Sequence, residues 1–394
     1  MQSFELYLPT KVVFGPDTES KIARLCLEQG AKKIALIYGG QSAIKSGLIA
    51  NIETLLKGAE LPVLSQGGVV PNPRLSKAEE IRKSAEAFGA DLVLAVGGGS
   101  VIDTAKAVAH GLANPGTALW DIWAGKVSLT KSVPVGVVLT ISAAGSEMSN
   151  SAVLTNDLDP DHHFKASLSS ELNRPKFAVM DPKLTFTLPK YQIAAGAADI
   201  FMHTVERIFC AKANRGNHLS DNIAFGLLRD IIKFGPIGVQ NPENYEAMSE
   251  IMWCGSVSHN NLTGNGGDFA VHMLGHSLSA LYDATHGATL TAVWGSWARY
   301  CVSEDPERFT QYGREVFGLC GEDSTVITGS IIKTEEWFHS LGMPTNLHEL
   351  IGRDLAEEEI AVLARNCSWN ETRIIGKFKV LGYEDMFKIY KMAR

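Results

Sequence analysis

Short apolar runs alternate with helix-like stretches through the first half of the chain. The runs are rich in valine, isoleucine and leucine and comprise KIALIYGG (33–40), DLVLAVGGG (91–99), VPVGVVLTIS (133–142) and FAVMDP (177–182). Continuous apolar runs of this kind are typical of strands buried on both faces of a parallel sheet. Between them, helical spacing occupies residues 46–58, 76–89 and 100–113, and Ser76 is predicted to be an N-cap. Strands that alternate with helices predict a doubly wound, Rossmann-like α/β sheet.

The second half of the chain has a different pattern. After about Asp181 nearly every stretch has helical spacing, and we predict no strand beyond residue 190. A chain of 394 residues is also long enough for two separate cores. We therefore predict an N-terminal α/β domain of residues 1–184 and an all-helical C-terminal domain of residues 185–394. The segment DPKLTFTLP (181–189) supplies two prolines at this boundary.

Composition and charge exclude several classes of protein. Apolar residues make up 45% of the chain and charged residues 20%, which is typical of a folded globular protein. The net charge of −7 and the scattered basic residues argue against nucleic acid as the main partner. The six cysteines lack CxxC spacing and predict reduced thiols. Since no apolar run approaches the ~20 residues that span a bilayer, we expect a cytoplasmic protein without a membrane partner.

A glycine turn follows the second predicted strand. Gly97, Gly98 and Gly99 come directly before a helix that begins near Ser100. Glycine lets the backbone approach a ligand closely, and a helix N-terminus offers unpaired N–H groups to a phosphate. The turn therefore predicts a phosphate site, with a merely tight βα turn as the alternative. Asp103 is either a first-turn complement to the helix dipole or a contact to the ligand.

A second glycine turn, YGGQS (38–42), follows the first predicted strand and contains no acidic residue. In dinucleotide sites an acid at the corresponding place commonly binds the ribose 2′-hydroxyl. Here the hydroxyl of Ser42 and the amides of Gly39 and Gly40 would instead receive an added 2′-phosphate. The turn predicts NADP(H) rather than NAD(H), and an ordinary βα loop is the alternative.

Three of the eleven histidines lie within VHMLGHSLSALYDATHG (271–287). His272 and His276 are four residues apart, so they share one face of a helix. In one continuous helix, a rise of about 1.5 Å per residue would put His286 ~21 Å from His272, too far for both to bind one ion. The residues DATHG (283–287) suit a helix break, so His286 either joins the group through that break or is unrelated to it.

A second polar pair lies upstream in the apolar segment AAGAADIFMHTVE (194–206). A buried Asp199 is costly unless it is paired or bound to a metal, and with His203 four residues later it forms half of a divalent metal site. Either pair alone has an ordinary polar contact as its alternative. Together they nominate Asp199, His203, His272 and His276, although spacing does not rank His276 against His286.

These motifs together resemble the iron-containing alcohol dehydrogenase family, and most closely its NADPH-dependent aldehyde reductases and butanol dehydrogenases. The likeness covers essentially the whole chain, and no single motif is specific. The matching stretches are FELYLPTKVVFG (4–15), IYGGQS (37–42), GGVVPNP (67–73), LVLAVGGGSVID (92–103), LTISAAGSEMS (139–149), FAVMDPKLTFTLP (177–189), DIFMHTVE (199–206) and the histidine segment 271–287. The resemblance implies a nucleotide-binding N-terminal domain and a helical C-terminal domain.

The resemblance also implies site residues. The metal, Fe²⁺ or Zn²⁺, would be held by Asp199, His203, His272 and His286, which requires the helix break near 283–285. His276 then matches a histidine near the nicotinamide and is a candidate proton relay. The implied cofactor contacts are Gly39, Gly40, Ser42, Asn72, Gly97, Gly98, Gly99, Ser100, Asp103, Thr140, Ser142, Ser149, Lys165 and Leu184. The family's threonine-rich stretch before GSE is replaced here by ISAA (141–144).

The activity that the resemblance implies is the interconversion of aldehydes and primary alcohols with NADP(H), in a homodimer that binds a small-molecule substrate. The metal would act as a Lewis acid on the substrate oxygen, and the protein would position the reactants. Trp120, Trp123, Phe164 and Phe269 are predicted either to line an apolar pocket or to pack in the core.

Two other functions stay open at this point. One is a carbon–oxygen lyase or cyclase related to dehydroquinate synthase, which would need basic residues for a phosphorylated substrate, and residues 240–290 contain no arginine or lysine. The other is a non-catalytic protein that binds metal or nucleotide. A broken set of ligands would favour it, and here the four residues are all present.

Overall fold

The structure, a computed structural model, describes residues 3–40, 42–159, 164–213 and 217–394. The chain forms two compact units. One comprises Tyr7–Thr187, and the other comprises Leu188–Arg394 together with residues 3–6. The chain passes from the first unit to the second within the proline-containing segment 181–189.

A parallel sheet forms the centre of the first unit. Its strands are β1 (Lys11–Phe14), β2 (Ile34–Tyr38), β3 (Val63–Gln66), β4 (Leu92–Gly97), β5 (Val135–Leu139) and β8 (Phe177–Met180). The strand order is β1-β8-β5-β4-β2-β3, and all neighbours are parallel. Two further strands, β6 (Ser151–Thr155) and β7 (Lys165–Ser169), form a separate antiparallel pair.

Burial within the sheet follows the apolar runs. Every residue of β4, β5 and β8 is buried, and β2 is buried except at Tyr38. The four predicted strands are therefore confirmed, and so is the α/β fold with a Rossmann-like sheet. The edge strands β1 and β3 are four residues long and only partly buried, because each is paired on one side alone.

Helices connect the strands of the first unit. They are α1 (Ile22–Glu28), α2 (Ser42–Lys45), α3 (Leu48–Gly58), α4 (Leu75–Phe88), α5 (Gly99–Ala113) and α6 (Leu119–Trp123), with 3-10 turns at Thr18–Lys21, Glu171–Asn173 and Pro182–Thr185. The prediction that Ser76 caps its helix is wrong. The N-cap of α4 is Arg74, and the Ser76 hydroxyl donates to Asp157 at 2.5 Å. A partner 81 residues away thus binds the side chain that local sequence assigns to the helix end.

The second unit is helical. Its helices are α7 (Lys190–Ile208), α8 (His218–Gln240), α9 (Tyr245–Ser258), α10 (Ala270–Tyr282), α11 (His286–Cys301), α12 (Pro306–Phe317), α13 (Asp323–Ser340), α14 (Leu347–Ile351), α15 (Glu357–Cys367) and α16 (Tyr383–Met392), with a 3-10 turn at Val302–Glu304. Within the ranges given above, no strand follows β8, as predicted. In the same ranges, no helix combines the length and the apolar character needed to cross a membrane.

Helix α7 lies in the interior of the second unit. Every residue from Ile193 to Ile208 is buried. A helix that is buried all round also buries its polar side chains, which then need partners. Among the described residues, the groups close to these side chains include His272 on α10, whose Nε2 lies 3.5 Å from Asp199 Oδ1 and 3.3 Å from His203 Nε2 and whose Nδ1 contacts Glu206.

The predicted break between the two histidine segments is present. Helix α10 ends at Tyr282, Asp283 has φ of 50°, and α11 begins at His286 with Thr285 as its N-cap. The start of α11 lies tight against α7, because a Cβ at Gly287 would come within 2.0 Å of the Ala195 carbonyl oxygen. Glycine is therefore required at the position after His286.

Candidate metal centre and nucleotide site

Four polar side chains converge in the second unit. Asp199 and His203 lie one turn apart on α7, His272 is on α10, and His286 is the first residue of α11. The Oδ1 atom of Asp199 is 3.3 Å from Nε2 of His203, 3.5 Å from Nε2 of His272 and 3.8 Å from Nε2 of His286. The Nε2 atoms of His203 and His272 are 3.3 Å apart. The three imidazoles thus present the same nitrogen to one carboxylate oxygen.

These atoms fit a divalent cation. Asp199 Oδ1 is buried and makes no hydrogen bond to the described residues, although burying an unsatisfied carboxylate oxygen is costly. Ligand bonds of about 2.0–2.2 Å in a tetrahedral site would separate neighbouring ligand atoms by roughly 3.3–3.6 Å. The four separations given above, 3.3–3.8 Å, lie close to that range. Three imidazole nitrogens and one carboxylate oxygen form a donor set that suits zinc and iron.

A carboxylate that the sequence analysis missed supports His272. One oxygen of Glu206 accepts the backbone N–H of Val271 at 2.8 Å, and the other forms a short contact with Nδ1 of His272. This contact fixes the imidazole so that Nε2 is directed to Asp199. Burial lowers the pKa of His272, but the charges of Glu206 and Asp199 raise it overall to about 9. Glu206 lies seven residues after Asp199, on the same helix face, and that spacing was the available signal.

His203 has different surroundings. Burial and the neighbouring groups His259, His272, His286 and Arg207 hold its pKa well below the usual range. The imidazole is therefore in the neutral form that binds metals. His259 was also missed by the sequence analysis, although the centroid of its ring lies 4.1 Å from that of His203.

The geometry groups His286, rather than His276, with the carboxylate. Ligand atoms of Asp199, His272 and His286 all lie within 4.8 Å of one another. His276 lies one turn further along α10, is buried, and has its ring centroid 5.4 Å from that of His286. This is the arrangement that the break between α10 and α11 allows.

In the first unit, the glycine turn joins β4 to α5. Gly97 ends β4, and Gly98 is the N-cap of α5, which no described side chain caps. A Cβ at Gly98 would approach Ile141 to 2.9 Å, so the turn packs closely against the loop after β5. The backbone N–H of Thr140 donates to the Gly97 carbonyl at 3.1 Å. The turn and the loop 140–149 therefore form one structural unit at the helix N-terminus.

The side chains of Asp103 and Lys106, both on α5, anchor the loop 140–149. Asp103 accepts from the Ser146 hydroxyl at 2.5 Å and from the Val153 backbone N–H at 2.9 Å. Lys106, which is fully buried and was not predicted, donates to the Ser146 hydroxyl and to the Ser151 carbonyl, each at 2.8 Å. Burial raises the pKa of Asp103 and lowers that of Lys106 to about 8. Both oxygens of Asp103 thus have partners in the protein.

The structure brings two other predicted cofactor residues together. Lys165 is buried and donates to the side-chain oxygen of Asn72 at 3.0 Å. The Ser149 hydroxyl is buried and accepts the Ser151 N–H at 2.9 Å, whereas the buried Ser142 hydroxyl makes no hydrogen bond to the described residues.

The remaining predicted residues lie at the ends of β2 and β8. Gly39 and Gly40 follow β2, and Ser42 is the exposed first residue of α2. Gln41 of the same turn lies outside the described residues. Leu184 packs against the apolar core of the first unit. Among the predicted pocket aromatics, Trp123 is buried and donates to the Ala152 carbonyl, whereas Phe269 packs on the rings of His203 and His272.

Two protein-family models match the chain. The model described as iron-containing alcohol dehydrogenase matches residues 9–182. The model described as the C-terminal part of the Fe-containing alcohol dehydrogenase family matches residues 193–394.

Relatives match over the full length. The chain is 36% identical to NADH-dependent butanol dehydrogenase A of Clostridium acetobutylicum and 33% identical to NADPH-dependent aldehyde reductase YqhD of Escherichia coli K12, with all of both chains covered in each case. The crystal structure of NADH-dependent butanol dehydrogenase A from Thermotoga maritima, 35% identical in sequence, superposes with a TM-score of 0.94 over 100% of this chain and 99% of that one.

Proposed function

Since the chain belongs to the iron-containing alcohol dehydrogenase family and is an alcohol and aldehyde oxidoreductase, we propose that it interconverts aldehydes and primary alcohols with NADP(H) and one Fe²⁺ or Zn²⁺ ion. The family implies a nucleotide cofactor and a divalent metal. The observation that carries the proposal is the buried Asp199 oxygen approached by three imidazole Nε2 atoms.

The metal would be held by Asp199, His203, His272 and His286. When bound, it supplies a Lewis acid to the substrate oxygen. The chain's own contribution is to keep the four ligands in place: α7 carries two of them, and Glu206 orients a third through Nδ1 of His272. Because Asp199, His203 and His272 are buried, the local charges act more strongly on the reacting groups than they would in water.

His276 is proposed to move the proton of the product alcohol at one of its ring nitrogens. It follows His272 by one turn on α10, and its ring lies beside that of His286. An imidazole exchanges protons near neutral pH, which is the property that a relay needs.

The nucleotide would be held by the first unit. The glycine turn 97–99 with the N-terminus of α5 would bind the pyrophosphate, because helix N-termini attract anions. We propose that Asp103, Thr140, Ser142, Ser149 and Leu184 help to bind or position the nucleotide, together with Asn72 and Lys165. When bound, the nicotinamide donates or accepts the hydride.

We propose NADP(H) because the turn after β2 contains no acid to repel a 2′-phosphate. The relatives do not decide the cofactor, since the butanol dehydrogenase is NADH-dependent and the aldehyde reductase is NADPH-dependent. The proposal therefore depends on Gly39, Gly40 and Ser42 of this chain. The functional domains 1–184 and 185–394, the homodimer and the cytoplasmic location stay predictions.

Steady-state kinetics test the proposed function. Initial rates would be measured with butyraldehyde and either NADPH or NADH, before chelation, after it, and after Fe²⁺ or Zn²⁺ is restored. We expect faster reduction with NADPH, loss of activity on chelation, and recovery with added metal. Full activity in protein that elemental analysis shows to be metal-free would overturn the proposed metal dependence.

A further inference from the structure

Two imidazoles of the proposed metal site are supported in different ways. Nδ1 of His272 is in contact with the Glu206 carboxylate. Nδ1 of His203 is buried and, among the described residues, has no hydrogen-bond partner. The ring of His203 instead contacts two other imidazoles, those of His259 and His272, each with its centroid 4.1 Å away. Apart from the contacts of its Nε2 with Asp199 and His272, its orientation therefore depends on ring contacts.

Arg207 holds the ring of His259. Its Nη2 atom donates to Nδ1 of His259 at 3.1 Å. Because a guanidinium is always protonated and has no acceptor, Nδ1 of His259 must be the acceptor. The imidazole of His259 is therefore neutral, with its proton on Nε2. One hydrogen bond thus fixes both the tautomer and the orientation of this ring.

Arg207 also fixes the segment that carries His259. Its Nε atom donates to the Ser258 carbonyl at 3.0 Å, and Nη1 donates to the carbonyls of Gly264 and Gly266, each at 2.9 Å. These bonds connect α7 to the segment between α9 and α10. Since Arg207 follows His203 by four residues, the helix that supplies the metal ligand also anchors the ring that contacts it.

Phe269 completes this group of rings. Its ring centroid is 6.0 Å from that of His203 and 5.7 Å from that of His259, with the rings nearly perpendicular. The Arg207 guanidinium lies over the same phenyl ring at 5.4 Å. Edge-to-face contacts of this kind are favourable, and here they leave the ring of His259 little room to turn.

We infer that His259 is a positioning residue that fixes the ring of His203 through ring contact, in place of the hydrogen bond that fixes His272. The inference rests on the proposed metal site, because it assigns a support to one of its ligands. Groups that orient a metal-bound histidine typically contribute 10–100-fold to metal affinity. The ring of His259 should contribute on that scale.

Three substitutions of His259 distinguish the effect of its ring contact with His203 from the effect of its hydrogen bond with Arg207. His259→Phe keeps a ring but loses the acceptor for Arg207. His259→Asn keeps an acceptor near the position of Nδ1 but loses most of the ring contact, and His259→Ala loses both. The dissociation constant for Zn²⁺ would be measured on chelator-treated protein by competition with a chromophoric chelator, and circular dichroism would establish the folded fraction. The absorption bands of bound Co²⁺ would report the ligand geometry independently.

We expect His259→Asn and His259→Ala to weaken Zn²⁺ binding about 10–100-fold, and His259→Phe to stay within about threefold of the wild type. The Co²⁺ bands should shift in the first two variants only. Unchanged affinity in His259→Asn and His259→Ala, or a loss in His259→Phe as large as in His259→Ala, would overturn the inference. A wild-type protein that binds no Zn²⁺ would instead overturn the proposed metal site, so the two failures are distinguishable.

Discussion

Among single residues, Asp199 has the most demanding position, because its buried Oδ1 atom is the point that three imidazole nitrogens approach. A carboxylate can be buried at such a point only if positive charge is close by. A divalent ion would provide it. Each surrounding residue can then be identified as a ligand or not by measuring whether its substitution causes loss of the ion.

Two histidine variants should separate a ligand from a proton relay. We expect His286→Ala to lose the bound metal and nearly all turnover, because three ligands hold such an ion far less tightly than four. His276→Ala should keep the metal and lose about 10²–10⁴-fold in turnover. Elemental analysis and steady-state kinetics of both variants provide the comparison, and His348→Ala, at an exposed histidine of the same unit, is the control. Equal metal loss in the two variants would make His276 a ligand.

Gly39→Asp should reverse the proposed cofactor preference. A Cβ at Gly39 would lie 3.4 Å from the Val69 carbonyl oxygen, an ordinary contact, so the position accepts a Cβ atom. The aspartate carboxylate would repel a 2′-phosphate and accept a 2′-hydroxyl. A charge-assisted contact contributes ~1.5–3 kcal/mol, so we expect the wild type to prefer NADPH by ~10–150-fold in kcat/KM.

The control for that substitution is Gly39→Asn, which has nearly the same shape and no charge. It should keep the preference for NADPH. If the wild type uses NADH as well as NADPH, or better, the 2′-phosphate site is absent.

Residue spacing in the sequence predicts some residues of the candidate site and not others, and the physical reasons can be named. Asp199 and His203 stand out because polar residues four apart interrupt an apolar helix. Glu206 lies on the same face of α7. It was not predicted because a single glutamate in a sequence resembles a solvent-facing residue. His259 could not have been found, since it lies in an aperiodic segment and reaches His203 only through the packing of α9, α10 and α7.

Among the elements, helix α5 combines two tasks, because its first turn borders the proposed phosphate site and its second turn carries Lys106. Lys106→Met would leave the buried carboxylate of Asp103 without its nearest cation, which lies 3.8 Å away. Breaking a buried ion pair typically costs about 3–5 kcal/mol. We expect a lower melting temperature and a higher KM for NADPH, because the loop 140–149 loses its anchor.

The control for Lys106→Met is Lys83→Met, at an exposed position on α4. Thermal melting and initial rates of both variants make the comparison. A melting temperature and a KM equal to those of the control would mean that the buried lysine does not support the loop.

How well a strand could be predicted from the sequence depends on how completely the strand is buried. The strands β2, β4, β5 and β8 were predicted because both faces are covered and every position must be apolar. The strand β3, with sequence VLSQ, is an edge strand whose half-polar residues resemble a loop. Likewise, β6 and β7 form a separate two-stranded sheet, and five-residue strands of mixed polarity carry little periodic signal.

On the scale of the whole molecule, His110 should make the protein sensitive to acid. It is fully buried between the Ser132 hydroxyl and the side-chain oxygen of Asn173. Burial, the largest influence, lowers its pKa to about 4. Between pH 6.5 and 4 the unfolded chain therefore binds a proton that the folded protein does not. The free energy of unfolding should fall by about 3 kcal/mol across this window on account of His110 alone.

His110→Gln keeps a donor toward Asn173 but does not titrate. Urea unfolding at pH 7 and pH 4 should show a smaller acid loss in this variant than in the wild type. His348→Gln, at an exposed histidine, should behave like the wild type. The same acid loss in all three proteins would contradict the assignment to His110.

The position of β1 in the sheet has a consequence for synthesis on the ribosome. Within the described part of the chain, Lys11–Phe14 pairs with β8 alone, and the residues of that strand, Phe177–Met180, lie 166 positions later. At translation rates of about 5–20 residues per second, roughly 8–33 seconds separate the synthesis of the two strands. During that interval the nascent chain carries an unpaired strand close in sequence to the apolar side chains of Phe4, Leu6 and Tyr7, which are exposed in the folded protein too. Chaperones that bind apolar nascent segments would find this one available for longer than any other strand of the sheet.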